Sequence, residues 1–107
     1  MAEPVEHKMK MRARLQQGVA EVRLLISHPM ETGRRKNEAG EVVAAHFIQW
    51  LQARHGDKVV LEAQWGTGIA KDPYLIFYVA NAAPGDIIKV EWQDNKGVSG
   101  QHSLTLS

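Results

Sequence analysis

Histidine is the residue type in this chain best suited to hold a metal ion or transfer a proton, because imidazole titrates near neutral pH. Five histidines occur, at positions His7, His28, His46, His55 and His102. No two stand two or four residues apart, the spacings that place ligands on one face of a strand or helix. The pattern predicts scattered loop and surface histidines and no metal site. Separate strands could still bring His28 and a second histidine together.

Cysteine is absent from the sequence. The chain therefore has no disulfide, thiolate zinc site, iron–sulfur cluster or thiol nucleophile of its own. Any sulfur chemistry connected with it must use a thiol of another chain.

The serine and glycine motifs predict no catalysis and no cofactor. No G-x-S-x-G nucleophile elbow is present. Gly66, Thr67 and Gly68 resemble part of a phosphate-binding loop. Pro73 and a β-type run follow them, however, where such a loop needs the N-terminus of a helix. We interpret these residues as a turn.

The charge pattern excludes several kinds of partner. A formal net charge of +1 gives no strong field, which argues against nucleic acid. No apolar run approaches the roughly 20 residues that a membrane-spanning helix needs, so we predict no membrane insertion. The first 15 residues lack the continuous apolar stretch of an export signal.

The local run of Arg34, Arg35 and Lys36 is either a solvated loop tip or a site that attracts a small anion or an acidic surface.

The elements that must position these residues are mostly strands. Residues 8–15 and 19–27 alternate apolar and polar side chains, and a short turn joins them into a hairpin. Similar alternation occurs over residues 58–65 and 88–93 and at the end of the chain, whereas residues 74–79 form a continuous apolar run. The 107-residue length suits one domain. We predict an all-β, immunoglobulin-like antiparallel sandwich of about seven strands, with residues 1–107 forming a single domain.

Residues 41–54 give conflicting local signals. Val43, Phe47, Ile48 and Leu51 stand at helical spacing, and alanine is frequent nearby. Residues 55–58 would instead form a hairpin turn if this segment were a strand. The residues alone favour a helix slightly and leave both structures open.

Tyr74–Val79 is apolar or aromatic on both faces of the predicted strand. Tyr74, Ile76 and Tyr78 alternate with Leu75, Phe77 and Val79. If one set fills the core, the other forms an outer stripe. Such a stripe is typical of a protein-binding surface, although a loop of the same chain could also cover it.

Three stretches together resemble the SoxZ family. Residues 25–36, LISHPMETGRRK, match a family segment closely. Residues 72–79, DPYLIFYV, match its N-P-Y-L-x-F-Y-V segment, and residues 92–97, WQDNKG, match its W-x-D-x-x-G turn. The resemblance covers essentially the whole chain. The sequence departs from the family pattern most at Ala44, Ala45, His46, Trp50 and Trp65.

The resemblance implies a non-catalytic scaffold subunit that pairs with SoxY. In that system SoxY bears, on a flexible arm, the cysteine to which intermediates of thiosulfate oxidation are covalently attached. Other Sox enzymes contact the carrier transiently. The resemblance also implies a periplasmic location, reached together with the signal-bearing partner, and a strand over residues 42–54.

Two regions are the predicted partner contacts. The loop with His28, Pro29 and Met30 would approach the carrier arm, and an apolar anchor would come from Trp65, Tyr74, Ile76, Phe77 and Tyr78. Arg34, Arg35 and Lys36 would supply positive potential near anionic thiosulfonate groups. Two alternatives stay open, a stand-alone sandwich that self-associates through the same stripe and a metal protein that uses His28 with another histidine.

Overall fold

The computed structural model describes residues 9–107, which form seven strands in two antiparallel sheets. The strands are β1 (Met9–Gln16), β2 (Val19–Ile26), β3 (Ile48–His55), β4 (Lys58–Gln64), β5 (Tyr74–Val79), β6 (Ile87–Asp94) and β7 (Ser99–Thr105). The predicted all-β sandwich is confirmed. His7, Lys8 and most of the segment in which no export signal was predicted lie outside the described residues. Within residues 9–107 no helix is long and apolar enough to cross a membrane.

The three-stranded sheet has the order β1-β2-β5. Gln17 and Gly18 close the β1–β2 hairpin with φ values of 52° and 78°. Positive φ at both central residues is what a tight two-residue hairpin requires, because it matches the twist of the flanking strands. Strict alternation then turns Val22 and Leu24 into the core and leaves Arg23 between them on the outside.

The four-stranded sheet has the order β4-β3-β6-β7, with β3 paired on both sides. The β3–β6 register shifts between Ile48 and Trp50, so β3 contains a bulge there. Because of the extra residue at a bulge, side chains three positions apart, instead of two, point to the same face of the sheet. Ile48 and Leu51 are accordingly both fully buried. This bulge accounts for the three-residue spacing of Ile48 and Leu51, whereas Val43 and Phe47 of the helix-like pattern precede β3. The helix that the local pattern favours is wrong, and strand is present over Ile48–His55.

Residues 31–46, named here the arm, form a long loop that precedes β3 and folds back on itself. Two isolated β-bridges connect the two halves of the arm, Glu31 with His46 and Lys36 with Val42. At its tip the Asn37 side-chain oxygen accepts hydrogen bonds from the backbone N–H groups of Ala39 and Glu41, both at 3.0 Å. The strand expected over residues 42–54 therefore begins only at Ile48, and residues 42–47 belong to the arm and its junction with β3.

The core lies between the two sheets, and Trp92 of β6 is its largest fully buried side chain. Gly100 of β7 lies opposite Trp92. A Cβ atom at Gly100 would lie 2.5 Å from Trp92 Nε1, so only glycine leaves room for the indole. Burying a side chain of this size stabilises the fold by on the order of 5 kcal/mol.

Candidate functional site

Asp94, the last residue of β6, is a buried carboxylate whose two oxygens both accept hydrogen bonds. Its Oδ1 accepts from the backbone N–H groups of Lys96 and Val98, each at 2.9 Å. Its Oδ2 lies 3.0 Å from His28 Nε2 and 2.6 Å from His46 Nε2. The W-x-D-x-x-G turn thus supplies the acceptor at which two histidines from distant segments converge.

The proton on the His28 ring can be assigned from its neighbours. The backbone N–H of Met30 donates to His28 Nδ1 at 3.1 Å, so Nδ1 carries a lone pair. A neutral imidazole then carries its proton on Nε2, which donates to Asp94. Met30 reaches this position with a φ of 47°, a left-handed conformation that an L-residue adopts at some cost. The hydrogen bond to His28 compensates for part of that strain.

Opposing influences act on the Asp94 carboxyl. Burial is the largest and raises its pKa, because a carboxylate is poorly solvated inside the protein. The hydrogen bonds from His28, Val98, His46 and Lys96 favour the ionised form and together outweigh burial, so the pKa of Asp94 lies below its ordinary value. Asp94 is therefore an ionised buried group at neutral pH whose charge is stabilised by donors.

His28, His46 and Asp94 also form a set of three metal-ligand types, with ligand atoms within 4.8 Å of one another. His46 is the second histidine that the sequence left unidentified. A metal on His28 Nε2 would require that nitrogen to lose its proton, which the donation from Met30 to Nδ1 opposes. Both Asp94 oxygens are also already engaged. We interpret the cluster as a hydrogen-bonded clamp, named here the His–Asp–His clamp.

The clamp fixes the base of the arm. His28 stands just before the arm and His46 at its end, so Asp94 ties both sides of the base to β6. The backbone of His28 is fixed as well, because its N–H donates to Asp72 Oδ1 at 3.1 Å and its C=O accepts from the Asp72 N–H at 3.0 Å. The predicted loop residues divide accordingly, with His28 and Met30 buried and Pro29 half-buried.

The three predicted cationic residues lie exposed along the arm. Arg35 forms an ion pair with Glu31 at 2.8 Å, and this hydrogen-bonded pairing holds the pKa of Glu31 below its usual value. Among residues 9–107, Arg34 and Lys36 have no carboxylate within ion-pair distance. Two of the three charges therefore face solvent uncompensated.

The second region is the outer face, defined here as the outward side chains of β1, β2 and β5. On β5 the exposed fractions are 57% for Tyr74, 42% for Ile76 and 65% for Tyr78. Phe77 faces the opposite way and lies in the core. Trp65 is half-buried and lines a groove with Ile69 and Leu75 beside the start of β5. The structure thus places Trp65 next to the stripe and separates Phe77 from it.

The remainder of the outer face is basic. Lys10, Arg12 and Arg14 project outward from β1 and are exposed. On β2 Arg23 pairs with Glu21 at 2.8 Å, and this hydrogen bond raises the pKa of Arg23. Glu21, which also stands directly opposite Arg14, is the one acidic side chain among the outward residues of these three strands, so the outer face has a net excess of positive charge. An apolar aromatic stripe and a basic row therefore share one surface.

The two predicted contact regions adjoin. Asp72, which bonds the backbone of His28, stands two residues before Tyr74, and the Ile26 N–H donates to Pro73 C=O at 3.0 Å. Periodicity divided Tyr74–Val79 into two alternating sets in advance, and only the structure shows which set is exposed. The clamp was not predicted, because His28 and His46 stand 66 and 48 residues before Asp94 in the sequence. The one signal that could have indicated it is the aspartate of the W-x-D-x-x-G turn motif.

The chain matches the model of a known family. The family model described as "Sulphur oxidation protein SoxZ" matches residues 9–105 of the 107-residue chain. No curated protein matches the chain. Because the family match covers all seven strands, the clamp and the outer face, the chain belongs to the SoxZ family of sulphur oxidation proteins.

Proposed function

We propose that this sulfur-oxidation subunit is the non-catalytic half of a SoxYZ sulfur-carrier heterodimer. In this proposal a SoxY-type carrier subunit bears, on a cysteine, the covalently bound intermediates of thiosulfate oxidation. The observation that carries the proposal is the exposed stripe of Tyr74, Ile76 and Tyr78. The absence of cysteine agrees with it, because the carried sulfur then needs the partner's thiol.

The chemistry of the outer face suits a folded protein partner. Fully burying a large apolar side chain contributes roughly 1.5–3 kcal/mol to association. The three side chains of the stripe are partly exposed, so a partner gains part of this free energy by covering each of them. Association costs about 4–15 kcal/mol in lost freedom, so the stripe needs further contacts. The Trp65 groove and the basic row of β1 can provide them, and the basic row favours a partner surface rich in Asp and Glu.

The loop before the arm is the second proposed contact. His28 and Met30 are buried, so they do not contact the carrier directly in this proposal. Their role is to fix the positions of Pro29 and the exposed arm, which contact it. Arg34 and Lys36 would attract anionic thiosulfonate groups. Such attraction between exposed charges extends over a screening length of about 8 Å at physiological ionic strength. Arg35 contributes less because Glu31 neutralises it.

Family membership supports the remaining parts of the proposal. We place the complex in the periplasm, where the other enzymes of the Sox system would contact the carrier transiently. The chain itself carries out no reaction in this scheme. Its role is to hold the partner and to keep the attached sulfur group accessible.

A matched pair of substitutions tests the heterodimer. Ile76→Asp places a charge in the stripe, whereas Ile87→Asp makes the same change at a 51%-exposed isoleucine of the other sheet. Each variant and a SoxY-type carrier subunit are purified separately, and the dissociation constant is measured by titration calorimetry. We expect Ile76→Asp to weaken association by about a hundredfold and Ile87→Asp by less than about threefold. Equal affinities for all forms, or no association of the parent chain, would overturn the proposal.

Self-association through the same stripe is the rival function for this face. Light scattering on the chain alone and on its mixture with the carrier separates the two. A monomer that forms a one-to-one complex supports the heterodimer. A stable homodimer that the carrier does not dissociate supports the rival.

A further inference from the structure

The strand β5 has an open edge with no protective feature. It pairs with β2 alone, and its six residues, YLIFYV, include no charge, proline or glycine. The β2–β5 register runs without a bulge from Tyr74 to Val79. A flat, uncharged edge strand is a template for pairing with another chain, which proteins normally prevent.

The other described sheet edges are protected. The β1 edge carries Lys10, Arg12 and Arg14. The β4 edge carries Lys58 and Glu62, and its pairing with β3 is interrupted by a bulge between Ala53 and Arg54. The β7 edge is polar and contains Gly100. Of the four edges in residues 9–107, β5 alone lacks such protection.

The backbone geometry of β5 shows which groups are available. The Ile26 N–H donates to Pro73 C=O, which sets the alternation of hydrogen bonds along the β2–β5 pair. Leu75, Phe77 and Val79 therefore direct their N–H and C=O groups toward β2. Tyr74, Ile76 and Tyr78 direct theirs toward the open edge. The same three residues expose their side chains on the outer face.

We propose that a strand of the partner subunit adds to the open edge of β5, so that one sheet runs through both chains. This inference rests on the proposed heterodimer and specifies its binding mode. Main-chain hydrogen bonds would supply affinity, and the stripe would supply specificity, as in other cases of strand addition. Because backbone and side chains of the same residues are used, a single partner segment satisfies both.

Charge favours the carrier subunit over a second copy of this chain as the occupant. In this binding mode the occupant lies beside the outer face, where four cations, Lys10, Arg12, Arg14 and Arg23, outnumber the single carboxylate of Glu21. A second copy would bring another basic row. A partner with Asp and Glu side chains on the facing surface complements the row, and like charges across an interface are costly.

Residue-resolved amide hydrogen exchange tests the inference on the unmodified chain. Exchange is measured by NMR on the chain alone and on its complex with the SoxY-type carrier subunit. We expect the amides of Tyr74, Ile76 and Tyr78 to exchange at least about tenfold more slowly in the complex. Leu75 and Phe77, which bond β2, are internal controls and stay protected in both samples. Association without new protection at the three edge amides overturns strand addition and leaves the heterodimer standing, whereas no association overturns both.

A pair of substitutions at one position separates the edge from the stripe. Ile76→Pro removes the outward N–H, and proline is tolerated at a free edge. Ile76→Thr keeps that N–H and a β-branched shape while reducing apolar area. We expect proline to weaken carrier binding by at least about tenfold more than threonine, because a partner acceptor is left unpaired. Equal weakening overturns strand addition, and if the proline variant fails to fold, the exchange experiment decides.

Edge amides protected in a homodimer of the chain alone, undisturbed by the carrier, would assign the edge to a second copy and overturn the proposal.

Discussion

His28 and Asp94 are 66 residues apart in the sequence, yet His28 Nε2 lies 3.0 Å from Asp94 Oδ2 with both side chains fully buried. His46 joins the same oxygen at 2.6 Å. A buried carboxylate is tolerated only when its lone pairs are satisfied, and here four donors satisfy them. The orientation of the arm therefore depends on one aspartate at the end of β6.

Replacing that aspartate should destabilise the whole fold. Asp94→Asn keeps the size of the side chain but replaces one carboxylate oxygen with an NH₂ group. Because both oxygens accept hydrogen bonds, at least one buried donor then loses its acceptor. We expect a loss of about 3–5 kcal/mol in the free energy of unfolding, measured by urea denaturation. Asp57→Asn in the exposed β3–β4 turn is the control and should change stability by less than about 0.5 kcal/mol. A neutral effect at Asp94 would contradict the clamp.

The same carboxylate should make the fold sensitive to acid. Its pKa is lower in the folded chain than in the unfolded chain, so protonation favours unfolding. The contribution is complete above the unfolded value of about 3.9 and is lost as pH falls through the folded pKa. Unfolding free energies measured between neutral pH and strongly acidic pH should fall more steeply for the parent chain than for Asp94→Asn. Parallel curves would show that Asp94 contributes nothing to acid sensitivity.

Gly100 should tolerate no side chain. A Cβ there would lie 2.5–2.7 Å from three atoms of the buried Trp92 indole, so either the indole or β7 must shift. We expect Gly100→Ala to destabilise the chain by about 1–3 kcal/mol, measured by thermal and chemical denaturation. Gly66 has nothing within 4 Å of its would-be Cβ, and Gly66→Ala serves as the control. Similar midpoints for both variants would rule out the close packing of Gly100 on Trp92.

The cationic arm should influence the rate of sulfur transfer in a salt-dependent way. Arg34→Glu combined with Lys36→Glu reverses the two charges that have no described ion-pair partner. We expect turnover of thiosulfate by the reconstituted system to fall several-fold at low ionic strength and the difference to shrink at about 1 M salt, where screening occurs within about 3 Å. Lys58→Glu, a single charge reversal at the exposed start of β4, is the control for a change of charge away from the arm. Unchanged turnover at low salt would remove anion steering from the proposal.

The His–Asp–His clamp should bind no metal at stoichiometric level. Donation from Met30 to His28 Nδ1 keeps the proton on Nε2, which excludes that nitrogen as a ligand. Metal analysis of protein purified without a His-tag, before and after incubation with Zn²⁺, measures this directly. One tightly held ion per chain that His46→Ala removes would establish the metal protein that the histidine pattern left open.

Much of the fold could be predicted from local patterns. Period-two alternation located β1, β2, β4 and β6 to within one or two residues, because side-chain direction along a strand depends only on the backbone, and an uninterrupted apolar run located β5. The same rule separated Tyr74, Ile76 and Tyr78 from Phe77 before any pairing was known. The absence of cysteine likewise needed no structure.

What required tertiary structure was every feature set by pairing between distant segments. The bulge between Ile48 and Trp50 exists only in the register of β3 against β6, and it changes a two-residue period into one that resembles a helix. The approach of His28 and His46 to Asp94, and the open edge of β5, depend on which strands become neighbours. Strand order is decided by burial of both sheets against each other, a property of the whole chain that no local window contains.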